Sequence, residues 1–380
     1  MQDLVSVMGQ YLVDYWRNMV MIGIGGILVY LAVKKEYEPT LLLPMGFAAI
    51  LTNIPGSSAV GEHGFLTILY NAGIENELFP ILIFVAVGAM IDFEPLLRRP
   101  FMLFFGAAAQ FGIFATLIAA LYLGKLSGTF SFIPEFTLKQ AASIGIIGAA
   151  DGPTSIYVAR LFAPELLGPI TVAAYSYMSL VPLIQPPVVK ALTTKEERRI
   201  HMEFHESKVS KTVKVLFPIV VTLVAGVVAP ISVALIGSLM TGNLLRESGV
   251  VERLSKSAQN ELANIVTLFL GLAIGSTMVA ERFLTSSTLF IIAMGLVAFI
   301  FDTAGGVLFA KLLNLFLKNK VNPMIGAAGI SAFPMSARVI HRLGLEEDPT
   351  NYLLMHAIGA NVAGQVGSII AGAMILALIK

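Results

Sequence analysis

The chain has 380 residues, of which 56% are hydrophobic and 13% charged, against about 25% charged in an ordinary soluble domain. So much apolar surface cannot be hidden in one aqueous core, and a bilayer has to act as solvent for much of it. A net charge of +1 excludes a nucleic-acid footprint, and the absence of cysteine excludes disulfides, thiol nucleophiles and thiolate metal sites.

Residues 1 to 17 carry Asp3, Asp14 and Arg17 where a cleavable signal needs an apolar run. Leu4, Val5, Met8, Leu12, Tyr15 and Trp16 instead recur at helical spacing, which predicts a short amphipathic helix at the membrane interface with Trp16 near the headgroups. A spanning helix needs about 20 apolar residues. Candidate windows fall near 18 to 33, 40 to 54, 79 to 93, 100 to 124, 168 to 191, 213 to 240, 262 to 280, 286 to 316 and 351 to 379. Two further apolar stretches are interrupted: 141 to 162, AASIGIIGAADGPTSIYVARLF, and 321 to 344, VNPMIGAAGISAFPMSARVIHRLG. A Gly-rich first half, a central proline and polar residues around it are the pattern of a discontinuous membrane helix.

The two broken stretches are related. Gly145, Gly148, Pro153 and Ser155 fall on Gly326, Gly329, Pro334 and Ser336, each pair 181 positions apart. Upstream, Gly88, Glu94 and Leu97 fall on Gly275, Glu281 and Leu284 at an offset of 187. The expected fold is therefore an all-α polytopic membrane protein with two repeats. Residues 1 to 78 hold the interfacial helix and first spans, and 79 to 191 the first repeat. A basic loop and one linking span follow over 192 to 261, and the second repeat over 262 to 380. If each broken stretch crosses the membrane, five crossings separate equivalent elements. The repeats then have inverted topology, and their discontinuous helices meet near the bilayer midplane. Re-entrant hairpins would reduce the count to four and make the repeats parallel. Lys195, Arg198, Arg199, Lys208, Lys211 and Lys214 form the densest basic loop, which the positive-inside rule places in the cytoplasm. The same count leaves Lys34, Lys35, Arg98 and Arg99 outside, against the rule.

An ionised carboxylate inside a membrane helix is tolerated where it meets a polar cavity, a cation or a proton relay. Asp151 is in that position. Gly152 and Pro153 loosen the backbone beside it, and freed carbonyls together with the Thr154 and Ser155 hydroxyls suit a hard cation such as sodium. D-G-P-T is also good capping chemistry for a half-helix starting at Pro153, and the two roles are compatible. The second broken stretch offers Asn322, Ser331, Ser336 and Arg338 but no acid; Arg338 would attract a carboxylate. Tyr177 and Asn361 follow the two stretches in similar places, with Asn361 expected to face Asn322, although a packing hydrogen bond explains either equally well. Asp302 lies in an unbroken apolar segment where Lys311 or Arg338 are candidate partners, and Asp92 belongs to an interfacial cluster with Glu94 and Arg98. His201 and His205, four apart, lack a third ligand and read as solvated loop. No phosphate loop, G-x-S-x-G elbow, H-E-x-x-H or A-M-K-M biotinylation sequence is present.

The runs GIIGAADGPTSIYVARLFAPELLGPITVAAYSYMSLVPLIQPPVVKALTTKEERRI and NPMIGAAGISAFPMSARVIHRLG resemble the β subunits of the biotin-dependent, sodium-pumping decarboxylases of oxaloacetate, methylmalonyl-CoA and glutaconyl-CoA. The resemblance covers nearly the whole chain. It implies a translocase of a bacterial cytoplasmic membrane that decarboxylates carboxybiotin, exports sodium ion and consumes a proton. Carboxybiotin would arrive on a separate biotin carrier subunit loaded by a carboxyltransferase α subunit. A small γ or δ membrane subunit and a homo-oligomer, of which a trimer is one form, are also implied. The family's aspartate matches Asp151, which with Arg338 and Asn322 would carry the chemistry, and Gly326 matches a family glycine beside the carboxybiotin residues. Sodium would be held by Asp151, Thr154, Tyr177, Asn322, Ser331 and Asn361. The competing reading is a stand-alone sodium-coupled carboxylate transporter, which would work without a biotinylated partner.

Overall fold

A computed structural model describes residues 14–125, 134–202, 209–228 and 230–379, and these contain helices and no strands. Most of the expected amphipathic segment lies outside the described residues; Trp16 opens the helix Trp16–Lys35. Four helices are long and apolar enough to cross a bilayer alone: Trp16–Lys35, Pro100–Gly124, Ser286–Leu313 and Leu354–Leu378. Two bent pairs raise the number to six, Phe65–Glu75 with Leu78–Met90 at 64° and Pro164–Ser179 with Val181–Leu192 at 68°. The second bend falls where Pro182 removes a backbone donor. Large apolar side chains such as Ile118, Leu223, Val227 and Leu289 stand exposed on the outer faces, as a lipid-facing surface requires. The protein is a multi-pass membrane protein.

The segment expected to be one linking span over 213 to 240 is two helices, Lys211–Val228 and Val233–Ser248, packed against each other. Pro230 lies at the break, where it cannot continue the hydrogen-bond ladder. Trp16–Lys35 and Pro39–Asn53 form a similar pair at the start of the chain. Each pair packs its second helix on a glycine of a span from the other half of the chain. Gly275 sits against Met45 O, and Gly88 sits against Leu239 O. Single π-helical turns precede those spans at Asn71–Glu75 and Ala258–Leu262, 187 positions apart.

Both broken stretches fold back on themselves instead of running end to end. In the first, Ser155 Oγ donates to Ile146 O at 3.4 Å, whereas nine residues of continuous helix would separate these positions by about 13 Å. Its two ends also meet: Lys139 lies over the Phe162 ring, and Gln140 Nε2 donates to Glu165 Oε1. In the second, Ser336 Oγ donates to Ala327 O at 3.1 Å, the same bond displaced by 181 positions. Its base is closed by residues 193–202, which run across it as a strap. Asn322 and Asn351 donate to Arg198 O and Ile200 O, Arg198 pairs with Glu347, and His201 pairs with Asp348. The stretches are thus re-entrant helical hairpins, and the expectation that each crosses the membrane is corrected. A membrane-depth turn of this kind is tolerable because protein surrounds it, and 143–159 and 321–332 are buried throughout.

Candidate functional site

The two hairpin tips touch. Ser331 N–H of the second donates to Ala149 O of the first at 3.2 Å. Ala150 then takes a left-handed conformation, φ +52°, which turns the chain into the helix Gly152–Phe162. Asp151 caps that helix: Oδ1 accepts from Thr154 N at 3.3 Å and Oδ2 from Thr154 Oγ1 at 2.7 Å. The capping role and a ligand role coexist, because Oδ2 is also reached from elsewhere. Ser368 Oγ lies 2.7 Å and Gln365 Nε2 3.0 Å from it, both on the last helix, and Ser368 Oγ is 3.2 Å from Ser331 Oγ. Asp151 and Ser331 are 2% exposed, and Thr154 and Ser368 not at all. A charge so buried is stabilised by these charge-assisted hydrogen bonds, and the cluster supplies carboxylate and hydroxyl oxygens in one closed space.

Asn361, one face of the last helix below Gln365 and Ser368, donates to Ala328 O at 3.2 Å and Ile330 O at 2.6 Å, holding the second tip open. Its Oδ1 is buried without a hydrogen-bond partner among the described residues. Of the residues expected at the site, the structure therefore brings together Asp151, Thr154, Ser331 and Asn361. It places four others apart. Asn322 lies at the base of the second hairpin; its Nδ2 is committed to the strap and its Oδ1 accepts from Met324 N. It does not face Asn361. Tyr177 donates to Ile292 O and packs its ring on Gly295, while Tyr175 is the tyrosine that lies against the Asp151 turn, at Gly152. Gly326 packs on the backbone of Gly306, where an added Cβ would stand 1.9 Å from the Gly306 carbonyl oxygen. Arg338 is exposed one turn beyond the second tip and makes no side-chain hydrogen bond or ion pair among the described residues.

Two site residues, Gln365 and Ser368, escaped the sequence reading, although Asn361, Gln365 and Ser368 are spaced by four and three residues and so form a polar stripe on an apolar helix. Gln185 is the counterpart of Gln365, 180 positions earlier. It donates to Ser336 Oγ and Ala327 O of the second hairpin, as Gln365 donates to Asp151 of the first. Lys311 donates to Leu192 O and pairs with Glu197, so it is not the partner of Asp302. Asp92 accepts from Glu94 N–H and Glu94 pairs with Arg98 and Lys214, as an interfacial cluster should. His205 lies outside the described residues, and among those described no group of three His, Cys, Asp or Glu side chains is placed to hold a metal.

Re-entrant hairpins whose tips enclose one buried carboxylate, set among lipid-facing spans, define a multi-pass membrane protein with an oxygen-lined site at its centre. Comparison with known sequences places it more closely. A family profile described as Na+-transporting oxaloacetate decarboxylase beta subunit matches residues 17–379. The chain is 52% identical to the methylmalonyl-CoA decarboxylase subunit beta of Veillonella parvula, covering 96% of this chain and 93% of that one. It is 52% identical to the glutaconyl-CoA decarboxylase subunit beta of Acidaminococcus fermentans, over 96% and 94%. With the oxaloacetate decarboxylase beta chain 2 of Salmonella typhi the identity is 47%, over 94% of each. The chain belongs to the family of β subunits of the sodium-transporting decarboxylases.

Proposed function

We propose that this chain is the membrane subunit that decarboxylates carboxybiotin and couples that reaction to sodium export with consumption of a proton. The observation that carries the reading is Asp151, a lone carboxylate at the contact of two hairpin tips with Thr154, Ser331 and Ser368 hydroxyls around it. Sodium, the cargo, favours such oxygens over nitrogen or sulfur. In this role Asp151 supplies the charge and Thr154, Ser331 and Ser368 the neutral ligands. Gln365 orients the carboxylate, and Asn361 positions the carbonyls of the second tip. Because the site is closed, ions reach it only when one tip withdraws, so its occupation by sodium or a proton during the movement prevents leak.

The carboxybiotin end is assigned to the strap side. A cavity of about 570 Å³ opens there, lined by Arg99, His201, Lys318 and Lys320 beside Val321. Its cationic lining suits a carboxylated biotin carried on another subunit. Arg338 lies outside this lining, one turn from the second tip, and is the guanidinium that would hold the carboxylate once it has passed inward from the cavity. Asn322 would join it on displacement of the strap, and Tyr177 would act through the helix Ser286–Leu313. Partners are a carboxyltransferase α subunit, a biotin carrier and a small γ or δ subunit, in a homo-oligomeric assembly of a bacterial cytoplasmic membrane with the basic strap inside.

We further infer two inverted copies of a six-element unit, 14–202 and 209–379. The paired glycine contacts, the paired π-turns and the exchanged Gln185 and Gln365 bonds all support it. Each unit is a helix pair, a bent or turned span, a straight span, a hairpin and a final span. With the 15-residue helix Pro39–Asn53 counted as a crossing beside the four longer spans of the first unit, five crossings put the second unit in opposite orientation even though the hairpins do not cross. Sodium uptake into inverted vesicles carrying the complete complex tests the function. Asp151→Asn should abolish uptake and sodium-dependent decarboxylation together. Full retention of both, or purification of an active chain with no biotinylated partner, would overturn the reading.

A further inference from the structure

Asp302 is the second acid buried in the membrane region, and nothing in the sodium site uses it. It projects from the middle of Ser286–Leu313, 1% exposed. A Cβ on Gly148, three residues before Asp151, would stand 2.9 Å from Asp302 Oδ2, and one on Gly112 would stand 2.1 Å from Oδ1. The carboxyl is therefore clamped between the root of the first hairpin tip and the span Pro100–Gly124. Its nearest donors are the amides of Gly112 and Ile113, and Ile113 N–H is spent on Gln110 O. Among the described residues neither carboxyl oxygen has a hydrogen-bond partner of good geometry, and the Gly112 amide is the one nearby donor left to it. The elements packed on its helix carry Tyr122, Lys139, Tyr175, Tyr177 and Lys190, and its own helix carries Lys311. None of these forms an ion pair with it among the described residues; Lys190 and Lys311 pair with Glu346 and Glu197.

Packing does not require an acid here. Gly329, the counterpart of Gly148 on the second tip, meets the carbonyl of Phe105 and the Cβ of Ala109 in the corresponding place. An unpaired carboxylate in such surroundings costs several kcal/mol, so its charge has to be neutralised by something small enough to enter. A sodium ion needs several oxygen ligands, as Asp151 has. Gly148, Gly112 and Ala298 pack around Asp302 and none of them offers a side-chain oxygen, so a proton is the counter-charge these surroundings suit.

We propose that Asp302 is a proton-holding site distinct from the sodium site at Asp151, and that it opens when Gly148 of the first hairpin tip moves off it. Its use in turnover rests on the carboxybiotin reading. There the N–CO2 bond breaks, CO2 leaves, the biotin nitrogen takes a proton, and Asp302, having released one, is left as a carboxylate to be refilled from water. The proton site itself does not depend on that reading.

Infrared spectroscopy of the purified full chain tests it directly. A carboxylic acid C=O band free of strong hydrogen bonding should be present at neutral pH with and without saturating sodium, retained in Asp151→Asn and lost in Asp302→Asn. Absence of the band, or its disappearance on adding sodium, would show an ionised or sodium-binding Asp302 and overturn the proposal. In the reconstituted complex, Asp302→Asn should slow turnover by about tenfold or more while leaving the sodium half-saturation unchanged, with partial rescue by Asp302→Glu. Unchanged turnover would overturn the role in the cycle. A parallel sodium-binding measurement on the variant reports whether it is folded. A wild-type complex without sodium-dependent decarboxylation would instead count against the function and leave the infrared result standing.

Discussion

At the scale of single residues, Asp151 is held by donors from two elements, the helix it caps and the last helix, so each donor should matter in proportion to what it gives an anion. Ser368 is placed to be both hydrogen-bond donor to the empty carboxylate and oxygen ligand to a bound cation. Ser368→Ala is expected to weaken sodium binding by about tenfold or more, since a hydrogen bond to a charged group is worth roughly 1.5–3 kcal/mol. Sodium-dependent protection against thermal unfolding measures it; an unchanged sodium dependence would remove Ser368 from the site. Gly326 belongs to the same scale with a different logic. A methyl there meets the Gly306 carbonyl at 1.9 Å, so Gly326→Ala should cost about 1–3 kcal/mol of stability through overpacking. A variant of normal stability that fails only in carboxybiotin turnover would instead favour direct contact with that group.

The elements that matter most are the two hairpins, and their bases are closed differently. The first is fastened by its own side chains, Lys139 with Phe162 and Gln140 with Glu165. The second depends on the strap, through Arg198 above all: 6% exposed, its Nε is 2.6 Å from Glu347 Oε1 and its Nη1 2.6 Å from Thr193 O. Arg198→Ala leaves Glu347 without its partner and should lower stability by about 3 kcal/mol. Hydrogen exchange in 321–347 should rise before that in 138–162; equal rises in both would separate the strap from the second hairpin. The exposed end of the same strap gives a pH dependence. The Thr350 hydroxyl and amide, with His201, hold the Asp348 carboxyl down to about 2 from its ordinary 3.8. A depressed acid contributes its stabilisation above the ordinary value and loses it as pH falls through the lowered one. The Thr350 amide should therefore stay protected at pH 5 and lose protection between about pH 4 and 2. Asp348→Asn should abolish that step.

For the whole molecule, tips that meet while their bases point apart make a testable topology. The chain contains no cysteine, so single substitutions can be labelled without background. Glu165→Cys, at the base of the first hairpin, and Glu346→Cys, at the base of the second, should react with impermeant reagents from opposite sides of the membrane. Labelling from the same side would exclude inverted units and restore parallel ones. The two units are not equal in chemistry. Position 332, where the second tip would repeat Asp151, is alanine, and no acid meets Gly329 as Asp302 meets Gly148. Both buried acids thus serve one tip. The second unit, whose own tip meets neither acid, keeps the backbone design and contributes Asp302 itself, with Ser331, Asn361, Gln365 and Ser368, to the surroundings of the first tip.

Membrane class, the two broken stretches, their kinship and Asp151 and Thr154 as candidates for one buried site were all legible in the sequence. Each rests on local chemistry: apolar length, helix-breaking Gly and Pro, and the cost of a charge in hydrocarbon. Tertiary structure alone decided that the stretches turn back, because a break in a helix does not say in which direction the chain leaves it; the Ser155 to Ile146 and Ser336 to Ala327 bonds do. It likewise split 213 to 240 into two helices and tied Asn322 to the strap. It also selected Tyr175 over Tyr177 beside the acid, a choice invisible to spacing. Asp151 could be found from its own neighbourhood, but its partners Gln365 and Ser368 stand more than two hundred residues away, and only the folding of one hairpin tip against the last helix brings them to its carboxylate.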